Sequence, residues 1–252
     1  MRLALLALAV TFCEVGRLWG VPIQPRVPCM QKTLDQYLNS TGCSIGEIGF
    51  STFVFRVDSA SQIVPITPAD ILVSPASFGN VSGLVFSSPG FSTKDAQAVT
   101  YRIKFHIDPD PIIFAFYLLL GADSPVSGSA RVDTRLCVGG VFLPPNPEFG
   151  EPCLGGGSRA LSVFHAGDEP TAKLTDSASF PLASHIDVIN FIHLGSSNGG
   201  TARITGVGNA VSYVTETVPE QATLQLSSVA LIIAILAAVR RARTEVNRPI
   251  EE

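Results

Sequence analysis

Residues 98–108 constrain the fold most. Val99, Tyr101, Ile103, Phe105 and Ile107 alternate without a break with Thr100, Arg102, Lys104, His106 and Asp108. A strict period of two sorts side chains onto the two faces of a pleated strand, one on a core and one in water. His106 falls on the polar face, beside Arg102 and Lys104, and is expected to be a solvated sheet residue. Phe53, Phe55 and Val57 repeat the pattern against Thr52, Val54, Arg56 and Asp58. Ile186, Val188, Ile192 and Leu194 continue it, with Asn190 breaking the apolar face.

Residues 112–120 are apolar throughout, which predicts a strand covered on both faces, bracketed by Pro109 and Pro111 on one side and Gly121 on the other. Further strands are expected at 63–66, 71–74, 84–86, 130–136, 161–164 and 201–215. The chain's 22 glycines and 18 prolines supply turns between short strands. Among these are glycine-rich turns at 155–158 and 195–200. The one helical hint is 30–39, where Leu34, Tyr37 and Leu38 share a face. The fold class that follows is all-β, an antiparallel β-sandwich or jelly-roll-like ectodomain.

Charge excludes one function class. Residues 21–218 hold 11 Lys and Arg against 16 Asp and Glu, a balance near −5, with no basic stripe to track a phosphate backbone. Nucleic acid is therefore not an expected partner. Setting Cys13 aside leaves Cys29, Cys43, Cys137 and Cys153, which allow three pairings. Cys29–Cys43 with Cys137–Cys153 closes two short loops of comparable length and is the pairing expected. The spacing lacks the Cys-x₂-Cys of zinc sites.

No catalytic constellation emerges. There is no Gly-x-Ser-x-Gly elbow in the body and no His-Glu-x-x-His. His185, Asp187 and His193 share strand parity, but the two histidines lie about 27 Å apart along an extended strand. Only His185 and Asp187 are locally close. Asp108-Pro109-Asp110-Pro111 places two carboxylates together without the further oxygens calcium needs. His165-Ala166-Gly167-Asp168-Glu169 reads as an exposed turn. Neither a cofactor, a metal nor an enzymatic activity is expected.

The termini give an address. Residues 3–12 form an apolar run after Arg2, a signal-peptide core with a cleavage point after Gly20. Near the other end, Val218-Pro219-Glu220 precedes an uncharged span at 222–239 and then Arg240, Arg241 and Arg243. As a helix that span rises about 27 Å, at the short end of what crosses a hydrocarbon core. The arginines place the C-terminus on the cytoplasmic side. This three-part arrangement resembles the PEP-CTERM sorting signal of exported bacterial proteins. Gln221 stands where that motif has its second proline, and the chain runs on through 244–252 beyond the arginines. The body also resembles a group of PEP-CTERM ectodomains. The shared features are Cys29, a short helix at Leu34-Asp35-Gln36-Tyr37-Leu38, and Cys43-Ser44-Ile45-Gly46 leading to Phe50-Ser51-Thr52-Phe53. Cys137-Val138-Gly139-Gly140 and then Cys153 complete the layout.

The expected organisation is a signal peptide at 1–20, an ectodomain at 21–216, a sorting segment at 217–243 that resembles the PEP-CTERM signal and holds a transmembrane helix at 222–239, and a cytoplasmic tail at 244–252. The resemblance implies a non-enzymatic cell-surface or extracellular-matrix protein whose partners are the membrane, an exosortase-type processing enzyme and extracellular polysaccharide. A carbohydrate-binding or adhesive sandwich module is the alternative, and so is a permanently anchored ectodomain.

Overall fold

The structure is a computed structural model that describes residues 27–109, 112–144, 151–167 and 172–214. The expected signal peptide, the sorting segment and the cytoplasmic tail lie outside these residues. Among the described residues, no helix is long and apolar enough to cross a membrane.

Eleven antiparallel strands form one hydrogen-bonded sheet. They are β1 (Lys32–Thr33), β2 (Cys43–Ile45), β3 (Ile48–Ser61), β4 (Leu72–Phe78), β5 (Val81–Ser87), β6 (Ser92–Lys94), β7 (Ala98–Pro109), β8 (Ile112–Val138), β11 (Gly157–Ala166), β12 (Thr175–Ala183) and β13 (Ile186–Val214). A separate ribbon joins β9 (Val141–Phe142) to β10 (Cys153–Leu154). The helix α1 (Leu34–Leu38) is a single turn at the head of the sheet.

Two long strands organise the rest. β13 pairs with β8 from Ile186↔Val138 to Val214↔Ile112, and on its other edge meets β7, then β6, then β5. The outer edge of β8 takes β12 along one half and β11 along the other. β3 and β2 extend the sheet beyond β7, and β4 and β1 extend it beyond β5.

This sheet doubles back on itself. Phe105 pairs across from Val188, and Phe86 across from Val207. Nineteen residues of extended strand would separate those two positions by about 60 Å. The rings of Phe86 and Phe105 nevertheless stand 5.6 Å apart. β8 and β13 therefore bend together and pass from one layer to the other, as strands do at sandwich corners. The bend falls where the β8–β13 register shifts, between Ser196 and Gly206 on β13. There Gly128 approaches Thr201 so closely that a Cβ would lie 2.5 Å from its carbonyl oxygen.

One core fills the space between the layers, with Phe50, Phe86, Phe91, Tyr101, Phe105 and Phe116 all fully buried. Aromatic rings suit this space because each buries a large area and the pairs pack at offset or tilted angles.

Several expectations are corrected. Residues 63–66 form a loop before a short 3-10 turn (Pro68–Asp70) and are not a strand; Pro65 removes a ladder donor there. The glycine-rich 195–200 segment lies inside β13, so the two strands expected around it are one. The same holds for 112–120 and 130–136, which are both parts of β8. The helix covers only 34–38 of the expected 30–39. β12 was not expected at all: its TDSASFPLA sequence is mostly exposed, and an edge strand needs no strong apolar alternation.

Candidate functional site

Both expected disulfides are present. Cys29–Cys43 joins the entry segment to β2, with Cα atoms 4.8 Å apart, and Cys137–Cys153 joins β8 to β10, with Cα atoms 5.3 Å apart. Two bridges in one domain suit an oxidising compartment and an exported protein. The sorting residues Val218, Pro219 and Glu220 and the basic cluster Arg240, Arg241 and Arg243 lie outside the described residues.

The second disulfide lashes the β9–β10 ribbon across the outer face of the layer containing β7. Phe142 and Cys137 pack there on Ile189, with Phe191 alongside. Under this cover runs a row of charges from the polar face of β7. Arg102 bonds Asp58 through Nε and Nη2, each at 2.8 Å, and reaches Glu151 through Nη1. Lys104 Nζ stands 3.8 Å from Asp187 and 4.0 Å from Glu151, with the Phe142 ring beside it. Asp187 bonds His106 Nδ1 through one oxygen, and through the other accepts the Phe142 N–H at 2.8 Å. His106 Nε2 meets Asp108 at 2.8 Å. The Arg135 guanidinium donates to the Glu151 carbonyl at 3.1 Å.

His106 is thus half-buried and flanked by carboxylates, which corrects its expected place in open solvent. Burial opposes its charge, but the hydrogen bonds and charges of Asp108 and Asp187 outweigh that and raise it to about 9. Burial likewise opposes ionisation of Asp187, yet the bonds from His106 and the Phe142 N–H hold its carboxyl below the usual range. With both ring nitrogens engaged, His106 has no free lone pair to act as a base. The arrangement clamps the ribbon to the sheet.

The partner of Asp187 is therefore His106 on the neighbouring strand and not His185. His185 hydrogen-bonds Ser184 at 3.1 Å, and its ring lies 5.7 Å from that of His106. His193 bonds Thr100 at 3.1 Å and faces Asp133 at 3.5 Å, and burial lowers its proton affinity. Among the described residues no group of three or more His, Cys, Asp or Glu is placed to hold a metal ion. Sequence reasoning missed Glu151, 7% exposed, because nothing in its proline-rich surroundings marks it as buried.

A different feature sits at the bend. A cleft of about 490 Å³ opens there, with Ile63, Val64 and Ile66 from the β3–β4 connection on one side. Ser92, Thr93, Lys94, Gln97 and Thr201 line it as well, and so do Asp123 and Arg203, whose charged groups stand 3.5 Å apart. That volume lies within the roughly 300–1,000 Å³ range of small-ligand sites. Thr93 is 3% exposed, and its hydroxyl has no hydrogen-bond partner among the described residues. None of these lining residues was singled out from sequence, because they come from four separate segments.

No protein-family model matches the chain, and no curated protein matches it. Solved structures do. The carbohydrate-binding module TmCBM61, in complex with β-1,4-galactotriose, is 11% identical over 69% of this chain and 96% of its own, at a TM-score of 0.31. The family 11 carbohydrate-binding module from Clostridium thermocellum, in complex with a mixed-linked tetrasaccharide, is 8% identical over 75% and 99%, at 0.24. The enzymatically active domain of tailspike protein 4 from bacteriophage CBA120 is 15% identical over 62% of this chain and 19% of its own, also at 0.24. At such scores no function is drawn from these likenesses.

Proposed function

We propose that this chain is an exported, non-enzymatic binding ectodomain held at the cell surface or in the extracellular matrix. The observation that carries the reading is the pair of disulfides closed within a single β domain. The doubly engaged imidazole of His106 supports a scaffold role for the most densely charged part of the molecule. In this reading the segment 217–243 sorts the precursor: its apolar span holds the chain in the membrane, and Val218-Pro219-Glu220 is presented outside to an exosortase-type enzyme.

The test is the intact, unreduced mass of the protein recovered from its native host. A mass four protons below the free-thiol value, with the chain ending near Pro219, is the expected result. Free thiols would sink the export reading. Retention of 240–252 would replace release by a permanent anchor, with Gln221 as the residue that blocks processing.

A further inference from the structure

We infer that the outer face of the layer opposite β7 is a docking groove for the chain's own apolar segment at 222–239. This goes beyond the membrane role proposed for that segment. It gives the span a second place to lie whenever it is out of the bilayer.

Strand parity defines the face. The layer consists of β4, β5, the end of β13, the start of β8 and β12. Within it Leu84, Phe86, Phe116, Leu118, Val207 and Val211 point into the common core. Their alternates therefore point out. Outward along β13 come Gly206, Gly208, Ala210 and Ser212, so the middle of the face is a shallow trough. Val85 and Leu119 flank it at Gly208, one on each side, and Val81 and Tyr117 continue the two walls.

Charge sets this face apart. Residues 71–93, 112–122 and 204–214 contain no Asp, Glu, Lys, Arg or His. These stretches supply β4, β5 and the parts of β8 and β13 in this layer. β12 adds Thr175, Ser177 and Ser179 to the same rows. The outer face of the other layer carries Arg102, Lys104 and His106, beneath its ribbon. An apolar face without a charged side chain across five strands is a surface made to be covered. Its polar groups pair among themselves: the Ser212 hydroxyl donates to the Tyr117 hydroxyl at 3.3 Å, so an apolar cover does not strand it.

Burial points the same way. Val81, Val85, Leu119 and Ala210 form a cluster apart from the sandwich core, and each is at most 6% exposed. Gly83 and Gly208 between them have no side chains to shelter them. Ala76 and Tyr117, the partly buried apolar residues packed on the cluster, belong to the same face. Outward valines and a leucine beside glycines reach such burial under a cover.

The segment at 222–239 has the right length and starting point. As a helix it rises about 27 Å. From Val214 back to Gly206 the trough runs eight residues, also about 27 Å. Residues 215–221 join Val214 to Ala222 and reach roughly 25 Å, enough to turn the span back over the strand it follows. Phe78 and Ile112, each 44% exposed, stand at the end of the layer where that turn begins. The other apolar run, 3–12, leaves with the signal peptide in the export reading, on which the choice between the two runs rests.

The test uses the full-length chain, purified without reductant or detergent, with benzoylphenylalanine in place of Phe78. Irradiation should give adducts within one chain to a peptide from 222–239, identified by mass spectrometry. Their yield should fall about tenfold in Ile232→Arg combined with Ala234→Arg. Those positions lie on opposite sides of a helix, so one arginine meets the groove however the helix is turned. Val64→Arg, at the bend, should leave the yield unchanged. Circular dichroism and an unreduced mass showing both disulfides establish that each protein is folded. Adducts between two chains overturn the inference and make the face a self-association surface. Adducts confined to residues beside Phe78 in the fold, adducts to 3–12, or a yield indifferent to the two arginines also overturn it. Vesicles of phosphatidylethanolamine and phosphatidylglycerol should draw the span away and cut the yield. Adducts that persist undiminished in vesicles would keep the groove and remove the membrane reading of 222–239.

Discussion

Asp187 and His106 stand directly opposite one another in the β13–β7 ladder, and their side chains bond on the outer face of the sheet beneath the β9–β10 ribbon. The pair couples stability to pH. His106 titrates at about 9 in the fold against an ordinary 6.5, so its contribution is complete below pH 6.5 and lost as the pH rises through about 9. Asp187 shifts the other way: its contribution is complete above its ordinary 3.8 and lost as the pH falls below that. Thermal melts should therefore show a melting temperature that falls between pH 6.5 and 9, and His106→Gln should flatten that limb. An unchanged limb in the variant would show that the pair does not set it.

The Cys137–Cys153 bridge joins residues 16 apart in sequence and holds the ribbon over the charge row. Replacing both cysteines by serine should lower unfolding free energy by about 3 kcal/mol. It should also speed hydrogen exchange at the Phe142 amide, which is bonded to Asp187. Denaturant melts and exchange mass spectrometry read the two effects separately. A Phe142 amide that stays protected would mean that the ion pairs alone hold the ribbon.

Two core asparagines should respond oppositely to substitution. Neither side-chain amide atom of Asn209 has a partner among the described residues, although the residue is 1% exposed. Asn209→Leu should stabilise the protein by about 1–2 kcal/mol. Asn190 accepts the Thr134 hydroxyl at 2.6 Å, so Asn190→Leu strands that hydroxyl and should destabilise by about 1–3 kcal/mol. Adding Thr134→Val should recover most of that loss. Chemical denaturation of the four proteins decides it.

Gly83 lies opposite Ala210 in the β5–β13 ladder, and a Cβ there would fall 2.2 Å from the Asn209 carbonyl oxygen. Backbone cannot retreat as a side-chain tip can. Gly83→Ala should destabilise by about 2–4 kcal/mol, measured by urea melts. A loss under about 0.5 kcal/mol would mean the strands separate at little cost.

Periodicity made β3, β7 and the first part of β13 legible, because the apolar half of each alternation reports directly on burial. The cysteines were legible because short loops favour local pairing. What the sequence could not convey was continuity: Gly195 to Gly200 has turn composition, yet the partner strand β8 carries its ladder through that region. Tertiary pairing there overrides local preference. The polar face of β7 misled for a related reason. Arg102, Lys104 and His106 alternate as solvated residues would, and only the bridged ribbon folded over them turns the face into a half-buried ion network. The cleft stayed hidden because its walls come from distant segments, each ordinary by itself.

The pairing of β8 with β13 has a consequence for how the protein comes into being. Five other strands, β5, β6, β7, β11 and β12, pair with one of these two, and both visit each layer, so neither layer can form alone. Such distant partners make a high contact order and slow folding, on the scale of milliseconds to seconds. A chain that folds this slowly stays threadable while it crosses a membrane, and its native state arises only once the whole length from Ile112 to Val214 has emerged.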